Sequence, residues 1–300
     1  MSEDKHYLFC DNETGTCDGL PINAKKVELY VFTDPLCPEC WAFEPKLKKL
    51  KMEYGHYLTI RFFVAGHLQT WNICEQTESY TTQKQKDLAS QWEETGSRTG
   101  MSCDGDLWLE DPISSACVPS LAIKAAEMQG RQLATIFLRK LREALFLNKR
   151  NIEKEQELLL CAENAGLDLE EFKKDLHSNG AIKALQCDMR TTREMEVEKA
   201  PTFVFFNDCI EDAGLKVCGL YDYAVYVNIL SELVGEHLYA EDKVDLPDFL
   251  KQYKYVATTE VAEVYDLSIN EAECKLKQLQ LQQKVEKVPV KYGTFWRYLD

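Results

Sequence analysis

This 300-residue chain predicts an α/β fold interrupted by a long helical insertion, and three observations predict it. A Cys-x-x-Cys pair, Cys37 and Cys40, lies where an apolar strand turns into a helix. Strand character then returns at Thr202–Phe206 after a long helical stretch, and Ala200-Pro201 stands directly before it. Val27–Thr33 is β-branched and aromatic, as a buried strand requires. Behind the cysteines, Phe43, Leu47, Leu50 and Tyr54 recur at helical intervals and mark one apolar face. The pair therefore opens a helix, where free backbone N–H groups and the positive dipole end favour a thiolate. A lowered pKa is expected for Cys37 as the attacking sulfur, with Cys40 as its resolving partner one turn inside.

Leu58–Val64 alternates, so it makes with the first strand a parallel strand-helix-strand unit with a right-handed crossover. The pattern then turns helical over 84–95, 118–129, 133–147, 153–165, 169–176 and 181–195. Asp168 with Glu171 resembles a capping box, and Gly130 and Gly166 stand where helices should stop. After Thr202–Phe206 come a polar turn over 207–214, a short strand at 215–217 and an amphipathic helix at 223–234. That order is the thioredoxin order, giving one thioredoxin-like unit over 26–235 with a helical insertion at about 67–195. In such folds a proline at the place of Pro201 is cis and its loop faces the cysteines, which is the expectation here.

Residues 1–25 read as a polar tail and 236–247 as an acidic linker. A small unit over 248–300 follows, its short helices at 246–253, 259–265 and 268–282 preceding a hairpin around Lys291-Tyr292-Gly293. Three helices and a hairpin suggest a winged-helix-like domain. DNA readout is not expected of it, because Glu271 and Glu273 offset Lys275 and Lys277 and the last helix carries no Arg.

The formal charge of −15, from 50 acidic and 35 basic residues, argues against nucleic acid and anionic membranes as partners and leaves proteins. The N-terminal residues show no signal-peptide pattern and no stretch is long and apolar enough to span a membrane, so a cytoplasmic location is expected. In that setting most of the 12 cysteines read as reduced thiols. Cys74, Cys103, Cys117, Cys161, Cys187 and Cys274 are scattered singly, while Cys209 and Cys218 flank a turn that could bring them together. The competing reading of the Cys37/Cys40 pair is half a zinc site. No second Cys-x-x-Cys exists to complete one, and His56 and His67 are poorly placed. No P-loop and no assembled nucleophile, base and orienting group can be identified.

Several longer motifs carry a resemblance: Asp-Pro-Leu-Cys-Pro-Glu-Cys-Trp at 34–41, Gly-Met-Ser-Cys-Asp-Gly at 100–105, Asp-Leu-Glu-Glu-Phe-Lys-Lys-Asp-Leu-His-Ser at 168–178 and Ala-Leu-Gln-Cys-Asp-Met at 184–189. Pro-Thr at 201–202, Gly-Leu-Lys-Val at 214–217 and Val-Tyr-Asp-Leu-Ser at 264–268 extend it over nearly the whole chain. In these the sequence resembles the Spx adaptor family, called YjbH or SpxH, a DsbA-like branch of the thioredoxin superfamily. The resemblance implies a non-enzymatic adaptor that binds the transcription factor Spx and promotes its degradation by the ClpXP protease. It also implies a metal-linked N-terminal segment, for which His6, Cys10 and Cys17 are the candidates here; the expectation is no cofactor, with zinc at those three as the alternative. The alternative function is a cytosolic thiol-disulfide oxidoreductase or redox sensor using Cys37 and Cys40, with Glu39 and Pro201 as neighbours. Glu39 places a negative charge beside the attacking sulfur where DsbA has a histidine, so a weaker oxidant is expected. A glutathione-using isomerase ranks last, since it leaves the C-terminal unit without a purpose.

Overall fold

The computed structural model describes residues 27–65, 82–207, 209 and 213–299, together with the backbone of 8–10 and 17–19. Within the stretch read as a tail, β1 (Leu8–Cys10) and β2 (Cys17–Gly19) pair antiparallel, with Cys10 opposite Cys17. The first strand of the main sheet is β3 (Val27–Thr33), followed by α1 (Pro38–Ala42), α2 (Glu44–Tyr54) and β4 (Leu58–Val64). The helix behind the cysteines is thus broken at Phe43. Pro45 has no N–H to give to the Trp41 carbonyl one turn back, so the first helix stops and a second begins.

Between β4 and the next strand lie α3 (Thr82–Thr99), α4 (Leu107–Glu110), α5 (Cys117–Met128), α6 (Arg131–Arg142), α7 (Glu155–Ala165), α8 (Leu169–Leu176) and α9 (Asn179–Glu194). A π-helical turn, Glu143–Leu147, prolongs α6 and turns both Leu145 and Phe146 into the core. The Asp168 carboxylate accepts the N–H groups of Glu170 and Glu171 at the start of α8, as its position suggests. Gly166 ends α7 in the left-handed conformation, and Gly130, at a φ of 127°, follows the C-cap of α5 as expected and also serves as the N-cap of α6. Trp92, Trp108, Phe137, Phe146 and Phe172 fill the interior of this block.

The chain then returns to the sheet as β5 (Thr202–Phe206) and β6 (Leu215–Cys218) and leaves it through α10 (Tyr223–Val234). Strand order is β4-β3-β5-β6, with β3 parallel to β4 and the other two pairings antiparallel. Alternation decides the faces: Val27, Leu29 and Val31 join Phe203 and Phe205 against Leu50 of α2 and Leu230 of α10. Tyr30, Phe32, Phe63 and Val204 lie together on the other side. The two sequence halves separated by the insertion therefore share one layer.

Beyond this come α11 (Leu246–Tyr253), β7 (Tyr255–Ala257), α12 (Thr258–Val264), α13 (Ile269–Leu281), β8 (Val285–Val288) and β9 (Phe295–Tyr298). Ser268 and Glu271 form the reciprocal capping box that opens α13. The three strands make a sheet in the order β7-β9-β8, and Phe249, Val261, Leu276 and Trp296 fill a core of their own. Phe295 and Ala257 reach instead into the core of the helical insertion. Close backbone approach makes this contact possible: Gly293 has a φ of 71°, and a Cβ there would lie 2.4 Å from the Gly100 carbonyl oxygen.

Candidate functional site

Cys37 is the N-cap of α1 and Pro38 its first residue, where a missing N–H costs nothing. The Cys37 sulfur accepts the Cys40 N–H at 3.3 Å and donates to the Ala200 carbonyl at 3.4 Å. The Ala200–Pro201 peptide is cis, and its loop faces the cysteines as expected from the sequence. Gly219 N–H donates to the Pro201 carbonyl and ties that loop to the residues after β6. Both thiols are free; Cys37 is half-buried, whereas Cys40 is only 5% exposed.

The surroundings of Cys37 oppose the expected lowering of its pKa. The neighbouring Cys40 thiol, burial and the Asp34 carboxylate push it upward, against a single helix-end N–H. For Cys40, burial pushes upward, while the adjoining Cys37 thiol, the Arg142 guanidinium and the Thr33 hydroxyl act to lower its pKa. Glu39 is not a main cause of the Cys37 shift. Its carboxylate turns to α3, accepting from Thr95 Oγ1 at 3.0 Å and from Arg98 at 2.6 Å.

Sequence reasoning missed the charged groups beneath the pair. Arg142, 2% exposed, donates to Thr33 Oγ1 and to Glu44 at 2.6 Å. Arg139 lies over the Trp41 ring at 4.4 Å and binds both oxygens of Glu260, at 2.9 and 3.0 Å. Glu260 is fully buried and also takes the Lys48 ammonium and the Ala257 N–H. Burial pushes its carboxyl up, yet Arg139 and Lys48 outweigh that and hold its pKa at about 2. Lys48 itself is pushed below its ordinary value by burial and by Arg139, so Arg139 is the principal counter-ion. Only a polar residue at an apolar helix position could have signalled Arg142, and long side chains make that signal weak.

The remaining candidates fall elsewhere. His6 and His67 lie outside the described residues, and Cys10 and Cys17 are described by backbone alone. His56 stands 3.5 Å from Glu241. Among the described residues no group of three metal-ligating side chains includes Cys37 or Cys40. Glu93, Asp104 and Asp106 do converge, but on Lys291, whose ammonium sits between them. Cys209 and Cys218 are free thiols, and Cys117 is disulfide-bonded. Burial raises Cys161 to about 12. A groove of about 460 Å³ runs beside α1, lined by Pro45, Lys46, Arg98, Tyr221, Asp222 and Glu263 among others.

A strand-to-helix Cys-x-x-Cys, facing a cis proline that opens the antiparallel third strand, defines a thioredoxin-fold protein of the DsbA-like type. A family model described as Thioredoxin matches residues 30–228. Two solved structures share the fold. One is a protein disulfide isomerase-like protein from Nitrosomonas europaea, with a TM-score of 0.59, 16% identity and coverage of 70% of this chain and 97% of that one. The other is a DsbA-type oxidoreductase, SCO1869, from Streptomyces coelicolor, with a TM-score of 0.55, 15% identity and coverage of 73% and 94%. Among curated relatives, the protein named ClpXP adapter protein SpxH of Halalkalibacterium halodurans is 54% identical, covering 100% of both chains. Its namesake in Bacillus subtilis is 48% identical over 100% of this chain and 96% of its own. This chain belongs to the SpxH family of ClpXP adapter proteins.

Proposed function

We propose that this protein is the adaptor that binds Spx and promotes its degradation by ClpXP. The observation that carries this reading is 54% identity over the full length of a relative named ClpXP adapter protein SpxH. The similarity covers the C-terminal unit as well as the thioredoxin layer, so the relatives share the whole architecture. Residues 26–235 form the DsbA-like domain in this reading, 236–247 the linker and 248–300 a winged-helix-like domain. The order helix, strand, helix, helix, strand, strand with its β7-β9-β8 sheet supports the last assignment. On α13 the exposed charges are of both signs, Glu273 pairing with Lys277, which favours a protein contact over a DNA phosphate backbone. A cytoplasmic location fits these partners. Among the described residues no helix is long and apolar enough to cross a membrane.

A folded client would bury on the order of 800 Å² on each partner. The net charge of −15 favours basic patches on it, and association should then slow with salt. Spx degradation by ClpXP, compared between the native protein and Cys37→Ala/Cys40→Ala, tests the scaffold reading. Equal rates support it, and loss of degradation would move the function to the thiols.

A second reading is favoured by one specific arrangement. Cys37 is half-buried, reduced and in contact with the Ala200 carbonyl of the proline loop, so a partly exposed thiol stands where the two segments meet. In this reading the pair adds thiol-disulfide chemistry or redox sensing to the adaptor.

A further inference from the structure

We propose that the groove beside α1 is the docking site for an extended basic segment of the protein client, its Lys or Arg side chains pairing with Asp222 and Glu263 and its stems covering Tyr221. The inference deepens the adaptor reading above and rests on it for the identity of the client.

Separate stretches of the chain build the groove. Lys46 comes from α2, Arg98 from the end of α3, Tyr221 and Asp222 from the segment after β6, and Thr259 and Glu263 from α12. Its volume of about 460 Å³ gives room for a few residues of an extended chain. The wall after β6 is fixed in place. Gly219 N–H donates to the Pro201 carbonyl at 2.8 Å, Tyr221 N–H donates to Tyr226 Oη at 3.1 Å, and Lys46 Nζ donates to the Tyr221 carbonyl at 2.6 Å. Both backbone polar groups of Tyr221 are therefore held, yet the residue is 50% exposed. A large aromatic left half in solvent on an immobilised backbone loses little entropy when it is covered, which is the property of an interface anchor. The facing wall is equally fixed. Thr259 and Glu263 stand one turn apart on α12, and Glu260 between them is clamped in the core by Arg139 and Lys48.

Charge decides the occupant. Arg98 is paired with Glu39 at 2.6 Å, and Lys46 donates to a neutral carbonyl. Asp222 and Glu263 have no ion-pair partner among the described residues. Asp222 is the N-cap of α10 but makes no side-chain cap bond, so its carboxylate is open to a ligand. Two carboxylates against one unpaired ammonium leave the groove negative, in a chain with a net charge of −15. A basic side chain gives hydrogens to these carboxylates and lays its stem along the Tyr221 ring. Lys46 has further hydrogens for the main-chain carbonyls of an extended occupant. An acidic segment, or a second copy of this acidic chain, meets repulsion instead.

Binding of fluorescently labelled Spx to the full-length protein, followed by anisotropy at low and high salt, tests the site. Asp222→Asn/Glu263→Gln should weaken binding about five- to tenfold at low salt and flatten its salt dependence, as the loss of two partly exposed ion pairs requires. Tyr221→Ala should weaken it about tenfold at either salt. Glu232→Gln/Glu236→Gln removes the same two charges at and beyond the far end of α10, and should change binding less than about twofold. Every one of these positions is at least partly exposed, so the fold should be kept, and matching circular dichroism spectra check that. Native affinity in Asp222→Asn/Glu263→Gln, or an equal loss in both charge variants, overturns the proposal and leaves the adaptor reading in place. So does sedimentation in which Tyr221→Ala breaks up a dimer of the native protein, since the groove would then belong to a second copy. Failure of the native protein to bind Spx at all would remove the adaptor reading, and the client of this groove with it.

Discussion

The indole of Trp41 and the ring of Phe295 lie parallel, their planes 5° apart and their centroids separated by 6.1 Å. Trp41 follows the second cysteine, and Phe295 opens the last strand of the chain, so this stack joins the thiol helix to the C-terminal unit. Arg139 lies over the same indole and grips Glu260 of α12. The adaptor's two ends are thereby held in one arrangement by an aromatic contact and a buried ion cluster.

Removing the ring should loosen that joint. Phe295→Ala deletes a fully buried aromatic and should lower unfolding free energy by about 3–5 kcal/mol. Urea unfolding followed by Trp fluorescence measures this, and a loss under about 1 kcal/mol would mean that the site collapses freely.

Glu260 gives the fold an acid limit. Its folded pKa of about 2 lies below the unfolded value near 4.3, so its contribution is complete above about pH 5 and fades as pH falls toward 2. Unfolding at stepped pH should show stability declining through that window, and Glu260→Gln should flatten the decline. At neutral pH the same substitution leaves Arg139 and Lys48 short of a buried counter-ion, at a cost of about 3–5 kcal/mol.

Gly293→Ala should separate the hairpin from the loop at Gly100. The added Cβ meets a backbone carbonyl at 2.4 Å in a left-handed backbone conformation, and neither can yield cheaply. Faster amide hydrogen exchange confined to 285–298 and 100–105 is the expected signature; unchanged exchange there would contradict the contact.

Lys291 fills the space among Glu93, Asp104 and Asp106. Lys291→Ala leaves three carboxylates repelling one another near the surface, so the loss should be modest, about 1 kcal/mol at low salt, and smaller near 1 M where the screening length is about 3 Å. A loss that grew with salt would rule out this electrostatic account.

Much of the fold was legible because it follows from local pattern. The β-branched and aromatic runs of Val27–Thr33 and Thr202–Phe206 and the alternation in Leu58–Val64 set those strands at their observed bounds. Asp168 set the start of α8. What could not be read depends on distant partners. β7 is three residues long and exists because β9 pairs with it. The break at Phe43 follows from Pro45, a local signal that an unbroken apolar face concealed. At the site, the two cysteines and the proline were identified from spacing and company, yet the direction of the Cys37 shift was not. Helix position is visible in a sequence, whereas the carboxylate of Asp34 and the guanidinium of Arg142 act through space.

The most direct measurement is the rate at which purified ClpXP degrades Spx as this protein is titrated in. The account predicts a rate that rises with added protein and saturates near one adaptor per Spx, with no loss of the adaptor itself. A rate independent of the added protein, with Spx and ClpXP otherwise active, would contradict it.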